Sequence, residues 1–156
     1  MLPDQLTRIL KGTVRIEEES FQLYTAAQEK AKLLSPKSFL KELAETELQH
    51  KRKLNEDINN KTLIRSLGSQ RGESSENLGI VDYMKDVGKL SEDADYQEIL
   101  TYAAQREKKT HDYYISLARM FQKTRVGDMF QKLAEEELKH KIRIEKEYDD
   151  TLLREN

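Results

Sequence analysis

The chain of 156 residues contains no cysteine. Without thiols it forms no disulfide, no thiolate zinc site and no iron–sulfur cluster, and it holds no rubredoxin-type iron centre of its own. Helix breakers are also scarce, with two prolines and six glycines, while charged residues make up 36%. That balance favours an all-α protein with long helices. Neither sign of charge dominates. A net charge of −2 with acids and bases interspersed leaves no electrostatic footprint for nucleic acid. Apolar runs of membrane-spanning length are missing, and Met1-Leu-Pro-Asp does not open a signal peptide. One soluble, cytoplasmic domain covering 1–156, with no membrane partner, is the expectation.

What the chain does have is an internal repeat. Glu47-x-x-His50 recurs as Glu137-x-x-His140, at an offset of 90 residues. Each copy has a further glutamate 33 residues before its histidine, at Glu17 and Glu107. The surrounding sequence repeats as well: Leu43-Ala-Glu-Thr-Glu-Leu-Gln-His-Lys51 answers Leu133-Ala-Glu-Glu-Glu-Leu-Lys-His-Lys141, and Tyr24 answers Tyr114. Composition alone does not generate a repeat in this register.

The apolar period and the breakers give a coarse layout. A first helix is predicted over 3–33, with Pro3 in its opening turn, and a second over 36–58, with Ser35 as N-cap and Pro36 at its first position. Asn59 and Asn60 interrupt it. A crossover over 59–94 follows. It is irregular through Gly68, Gly72 and their serines, and carries a short amphipathic piece with Ile80, Val81, Tyr83, Met84 and Val87 that Gly88 ends. Asp93 or Asp95 caps a third helix reaching Lys123, and after a break near Gly127-Asp128 a fourth runs to Leu153. Helix pairs 3–58 and 95–153, joined by one long connection, make a ferritin-like four-helix bundle.

Helical spacing places the repeated polar residues on the apolar stripes. Leu43, Glu47, His50 and Leu54 share one face, as do Leu133, Glu137, His140 and Ile144. Glu17 and Glu107 interrupt the equivalent stripes of the first and third helices. Four carboxylates together in a core repel one another, and two divalent cations relieve that repulsion. No buried Arg or Lys is expected at repeat-matched positions on these faces to do so instead. Mixed carboxylate and imidazole donors suit iron or manganese, with zinc as a substitute.

Other polar residues read differently. Glu18 and Glu19 give way to Lys108 and Lys109 in the second copy and read as solvated; Glu45 and Glu135 read as surface acids. Two readings stand for Tyr24 and Tyr114: core aromatics, or phenols two turns beyond the ligand glutamates that hydrogen-bond a ligating carboxylate. His111, whose repeat mate is Phe21, reads as a core or boundary histidine.

On these residues the chain resembles the ferritin-like di-iron carboxylate superfamily, most closely its rubrerythrin-like branch, over nearly everything but the crossover. The resemblance implies that Glu17, Glu47, His50, Glu107, Glu137 and His140 bind two iron ions, with Glu47 and Glu137 as bridges. It implies a non-haem di-iron oxidoreductase, a peroxidase that reduces hydrogen peroxide or dioxygen, in a homodimer. With no cysteine in the chain, electrons would come from a separate donor protein such as a rubredoxin. Thr110 stands where the family has a second glutamate on this helix. No methionine on the second helix offers a haem ligand, as the methionines are 1, 84, 120 and 129. The chain also stops at Asn156 without the short fifth helix of cage-forming ferritins. Two alternatives remain at this level: a ferroxidase that sequesters iron, and a bundle whose duplicated motif is a relic or binds metal without catalysis.

Overall fold

The computed structural model describes residues 2–31, 34–67 and 88–155. Among them are five helices and no strand: α1 (Leu2–Lys30), α2 (Leu34–Asn60), α3 (Thr62–Leu67), α4 (Tyr96–Met120) and α5 (Arg125–Glu155). This is an all-α, ferritin-like bundle. None of these helices is long and apolar enough to cross a membrane.

Chain directions follow from which residues meet in the core. One apolar cluster takes Leu6, Leu10 and Ile16 from α1, Leu54 from α2, Tyr114 and Leu117 from α4, and Val126, Phe130 and Leu133 from α5. A second takes Tyr24 and Ala27, Leu40 and Leu43, Ile99 and Leu100, and Ile144. So α1 and α5 run from the first cluster to the second, while α2 and α4 run the opposite way. Since α2 and α4 are parallel, α2 ends and α4 begins at opposite ends of the bundle, and a short turn cannot join them. Each fully buried leucine contributes about 1.5–3 kcal/mol, and the clusters leave a polar layer between them on all four long helices.

The helix ends have local causes. Lys61, left-handed at φ 55, breaks α2 one residue beyond the expected Asn59-Asn60 stop, and the chain resumes as α3, whose Leu63 and Leu67 join the first cluster. A helix within 62–67 was not anticipated. The expected irregular stretch at 68–76 and the piece at 80–87 lie outside the described residues. Because α2 starts at Leu34, Pro36 sits third in the helix rather than first, still within the turn whose N–H groups have no intrahelical partner. Of the two candidate caps for α4, Asp95 accepts from Glu98 N at 2.8 Å. The Lys30 ammonium at the end of α1 then ties down this entrance by donating to the Glu92 and Ala94 carbonyls.

The α4–α5 turn differs from expectation. α4 stops at Met120 and Lys123 takes a positive φ of 64. Thr124 caps α5, its hydroxyl accepting from Gly127 N at 3.1 Å. Gly127 therefore lies inside the first turn of α5 and is not a break. Its role is close approach: a Cβ there would sit 2.2 Å from the Phe121 carbonyl oxygen.

Candidate metal centre

The polar layer consists of the residues at which the repeat interrupts each apolar stripe. Glu17 on α1, Glu47 on α2, Glu107 on α4, and Glu137 and His140 on α5 are all buried, with at most 5% exposure. His50 on α2 is slightly more open, its side chain 12% exposed. All six come together. Donor atoms of Glu17, Glu47, His50 and Glu137 lie within 4.8 Å of one another, and so do those of Glu47, Glu107, Glu137 and His140. Glu47 and Glu137 belong to both groups. The two imidazoles face each other across the layer, with ring centroids 6.5 Å apart and planes 19° from parallel.

Such a layer is unstable unless something compensates its charges, and its own atoms show that hydrogen bonds do not. Eight buried donor atoms have no hydrogen-bond partner: Glu17 Oε2, both oxygens of Glu47, His50 Nδ1, Glu107 Oε2, both oxygens of Glu137, and His140 Nδ1. Although His140 Nδ1 stands 2.8 Å from Glu47 Oε1, the pair lacks hydrogen-bond alignment. A buried carboxylate oxygen left unpaired is costly, and here such oxygens converge with two imidazole nitrogens. That donor set fits a pair of divalent cations, and these groups are able to hold metal.

Without a cation, protons take over part of the compensation. Burial, reinforced by Glu137 and Glu17, pushes the Glu47 carboxyl well above its ordinary range. Burial and the charge of Glu137 do the same to Glu107. Burial alone would lower His50, but the facing Glu137 and Glu17 lift it to about 11. Glu137 is also subject to burial, yet Glu107, His140 and His50 hold it below the usual carboxylate range. In the metal-free layer His50 and Glu137 are thus shifted toward their charged forms, while burial works against the charged forms of Glu47 and Glu107.

Tyr24 and Tyr114 resolve to hydrogen-bond donors, and they do so crosswise. Tyr24 of α1 donates to Glu107 of α4 in a short bond. Tyr114 of α4 donates to Glu17 of α1 at 2.8 Å. Both phenols are fully buried, and burial together with the adjacent glutamates raises them well above their ordinary value, so they keep their protons. Each pair ties α1 to α4 across the layer and fixes one outer carboxylate. Tyr114→Phe is expected to destabilise the metal-free protein by about 1–3 kcal/mol by leaving a buried carboxylate oxygen unpaired; a denaturant midpoint equal to that of the native protein would contradict this.

The remaining polar residues stay outside the layer. Glu18 pairs with Lys51 and Gln22, Glu19 is met by Arg106, and Glu45 and Glu135 are exposed. His111 is half-buried, with Nδ1 3.2 Å from Asp112, and it joins neither donor group. Thr110, in place of a further acid, is buried.

Two residues escape the sequence reading. Arg106, beside Glu107, is buried, yet it lies off the ligand faces and has no basic counterpart in the first copy. Its guanidinium turns away from the acids, to the carbonyl of Ile16, its own repeat mate, and to Glu19 and Ser20. It therefore braces α1 against α4 rather than neutralising the layer. The second is Glu136, whose carboxylate makes a short contact with His50 Nε2. The available signal was an acid one place before a ligand glutamate, without a counterpart in the first copy.

Comparison with known proteins agrees with this geometry over the second helix pair. Residues 98–156 match the rubrerythrin family. This segment, containing Glu107, Glu137 and His140, is rubrerythrin-like, and the first pair supplies the same residue types 90 positions earlier. The rubrerythrin-like di-iron domain expected from the motifs is consistent with the match. No curated protein and no solved structure matches the chain.

Proposed function

We propose that this rubrerythrin-like protein is a non-haem di-iron oxidoreductase that reduces hydrogen peroxide or dioxygen. The observation that carries the reading is the convergence of eight unpartnered donor atoms on one buried layer. Glu17 and His50 would hold one ion, Glu107 and His140 the other, and Glu47 and Glu137, common to both groups, would bridge them. When bound, a ferrous pair supplies Lewis acidity and two electrons to an O–O bond.

The chain's own residues set the conditions for that chemistry. Apolar clusters on both sides keep water from the layer, and Tyr24 and Tyr114 hold Glu107 and Glu17 in place while retaining their protons. The His50 edge, beside a cleft of about 250 Å³, is the most open side of the ligand set and the approach for a small oxidant. Reducing equivalents come from a separate donor such as a rubredoxin, because a cysteine-free chain has no thiolate-ligated relay of its own. A cytoplasmic homodimer is the form proposed for the working protein.

The test is an anaerobic titration of metal-free protein with ferrous iron, followed by rapid mixing with peroxide and then with oxygen. Saturation at two irons per chain and faster oxidation by peroxide are expected. Preference for oxygen, with uptake continuing past two irons, would replace this reading with iron sequestration. An absence of stoichiometric binding would leave a helical bundle without a metal function.

A further inference from the structure

His50 meets the ligand layer with one ring nitrogen and Glu136 with the other. Nδ1 stands 3.4 Å from Glu17 Oε2 and 3.6 Å from Glu137 Oε1, while Nε2 is in short contact with Glu136 Oε2. The nitrogens of a neutral imidazole are not equivalent: a proton on one leaves the lone pair on the other. A carboxylate at Nε2 keeps the proton there and presents Nδ1, which has no hydrogen-bond partner, toward the site. The same contact fixes the rotation of the ring.

The other half of the repeat lacks this arrangement. Thr46 occupies the place matching Glu136, and its hydroxyl turns back to the Glu42 carbonyl at 3.0 Å. The Glu42 carboxylate, in turn, is held by Arg143 through bonds of 3.0 and 2.9 Å. Inside the layer the two copies are matched; immediately outside it they are not.

We propose that Glu136 is a positioning residue that holds His50 as an Nδ1 metal ligand and contributes affinity to the Glu17–His50 position alone, making the two metal positions unequal. This rests on the di-metal reading above. Glu136 donates nothing to the metal groups themselves, and its side chain, one-third exposed, borders the cleft by His50 with Lys53, Met129 and Lys132. Replacing it opens no cavity in the core.

Anaerobic calorimetric titration with ferrous iron, on native protein, Glu136→Ala and Glu136→Gln, separates the possibilities. The native protein is expected to bind two ions per chain in two resolvable steps. Glu136→Ala should weaken one step by about 10–100-fold, the usual effect of removing an outer partner of a metal-bound histidine, and leave the other unchanged. Glu136→Gln keeps a carbonyl acceptor for the Nε2 proton and should lose less, which a general loss of helix stability would not reproduce. Two ions bound by the native protein with neither step altered in Glu136→Ala, or with both weakened equally, would overturn the positioning role and leave the metal centre standing. Failure of the native protein to bind would overturn the di-metal reading and this inference with it.

Discussion

Glu137→Ala is expected to abolish binding of both metal ions, while Glu45→Ala retains two per chain, as read by metal analysis after gel filtration. The asymmetry follows from position. Glu45 is an exposed acid on α2. Glu137 belongs to both donor groups, and both its oxygens are buried and unpartnered. Its removal takes a donor from each position at once, and the loss should exceed the about 10–100-fold typical of an outer partner. His50→Ala is the intermediate case, since His50 serves one group only; one ion should be lost readily and the other retained more firmly. The helical circular dichroism of all three variants controls for folding. Equal metal retention in Glu137→Ala and Glu45→Ala would remove the ligand assignment.

The second large effect is on stability. At free metal concentrations about a thousandfold above Kd, each bound ion stabilises the folded state by about 4 kcal/mol. For a chain of this size that corresponds to a rise in Tm on the order of 15–30 °C for the pair. The rise should grow with pH, and the sign follows from the directions of the shifts in the layer. His50 is raised from 6.5 to about 11, so its contribution to the metal-free fold is complete below pH 6.5 and is lost as pH climbs toward 11. Glu47 and Glu107 are raised above 4.5, and their contribution likewise declines as pH rises above 4.5. Glu137 is lowered; its contribution is present above 4.5 and lost only as pH falls, so it is constant between pH 6.5 and 9. Over that window the metal-free protein should therefore melt at progressively lower temperature, whereas the loaded protein should change little, because ions have displaced the protons. Melting curves at pH 6.5, 7.5 and 8.5, with and without manganese as a redox-stable probe, decide the matter. A metal-free Tm that rises across this range would show that the layer is not held by protons.

The bundle and its polar layer were largely legible in the sequence because both are periodic. Helical spacing put Glu47 with His50 and Glu137 with His140 on core stripes, and the 90-residue offset supplied Glu17, Glu107 and the two tyrosines. The same repeat concealed Glu136 and Arg106, which sit where the copies disagree and face Thr46 and Ile16. Nothing local distinguishes those two from solvated charges; their roles depend on which helix crosses nearby. Helix ends were obscured for a related reason. Lys61, rather than either asparagine, takes the left-handed conformation, so that Leu63 and Leu67 reach the core. Gly127 reads as a break, but the Phe121 carbonyl pressed against it is what calls for glycine.

The sharing of Glu47 and Glu137 has a consequence for assembly. Each donor group draws residues from both helix pairs: α2 lends Glu47 to the group completed by Glu107 and His140, and α5 lends Glu137 to the group containing Glu17 and His50. Neither hairpin can close a metal position alone, and a pair docked one helical turn out of register would bring the wrong side chains to the layer. A metal pair would therefore be held in full only once the two halves have docked in their correct register.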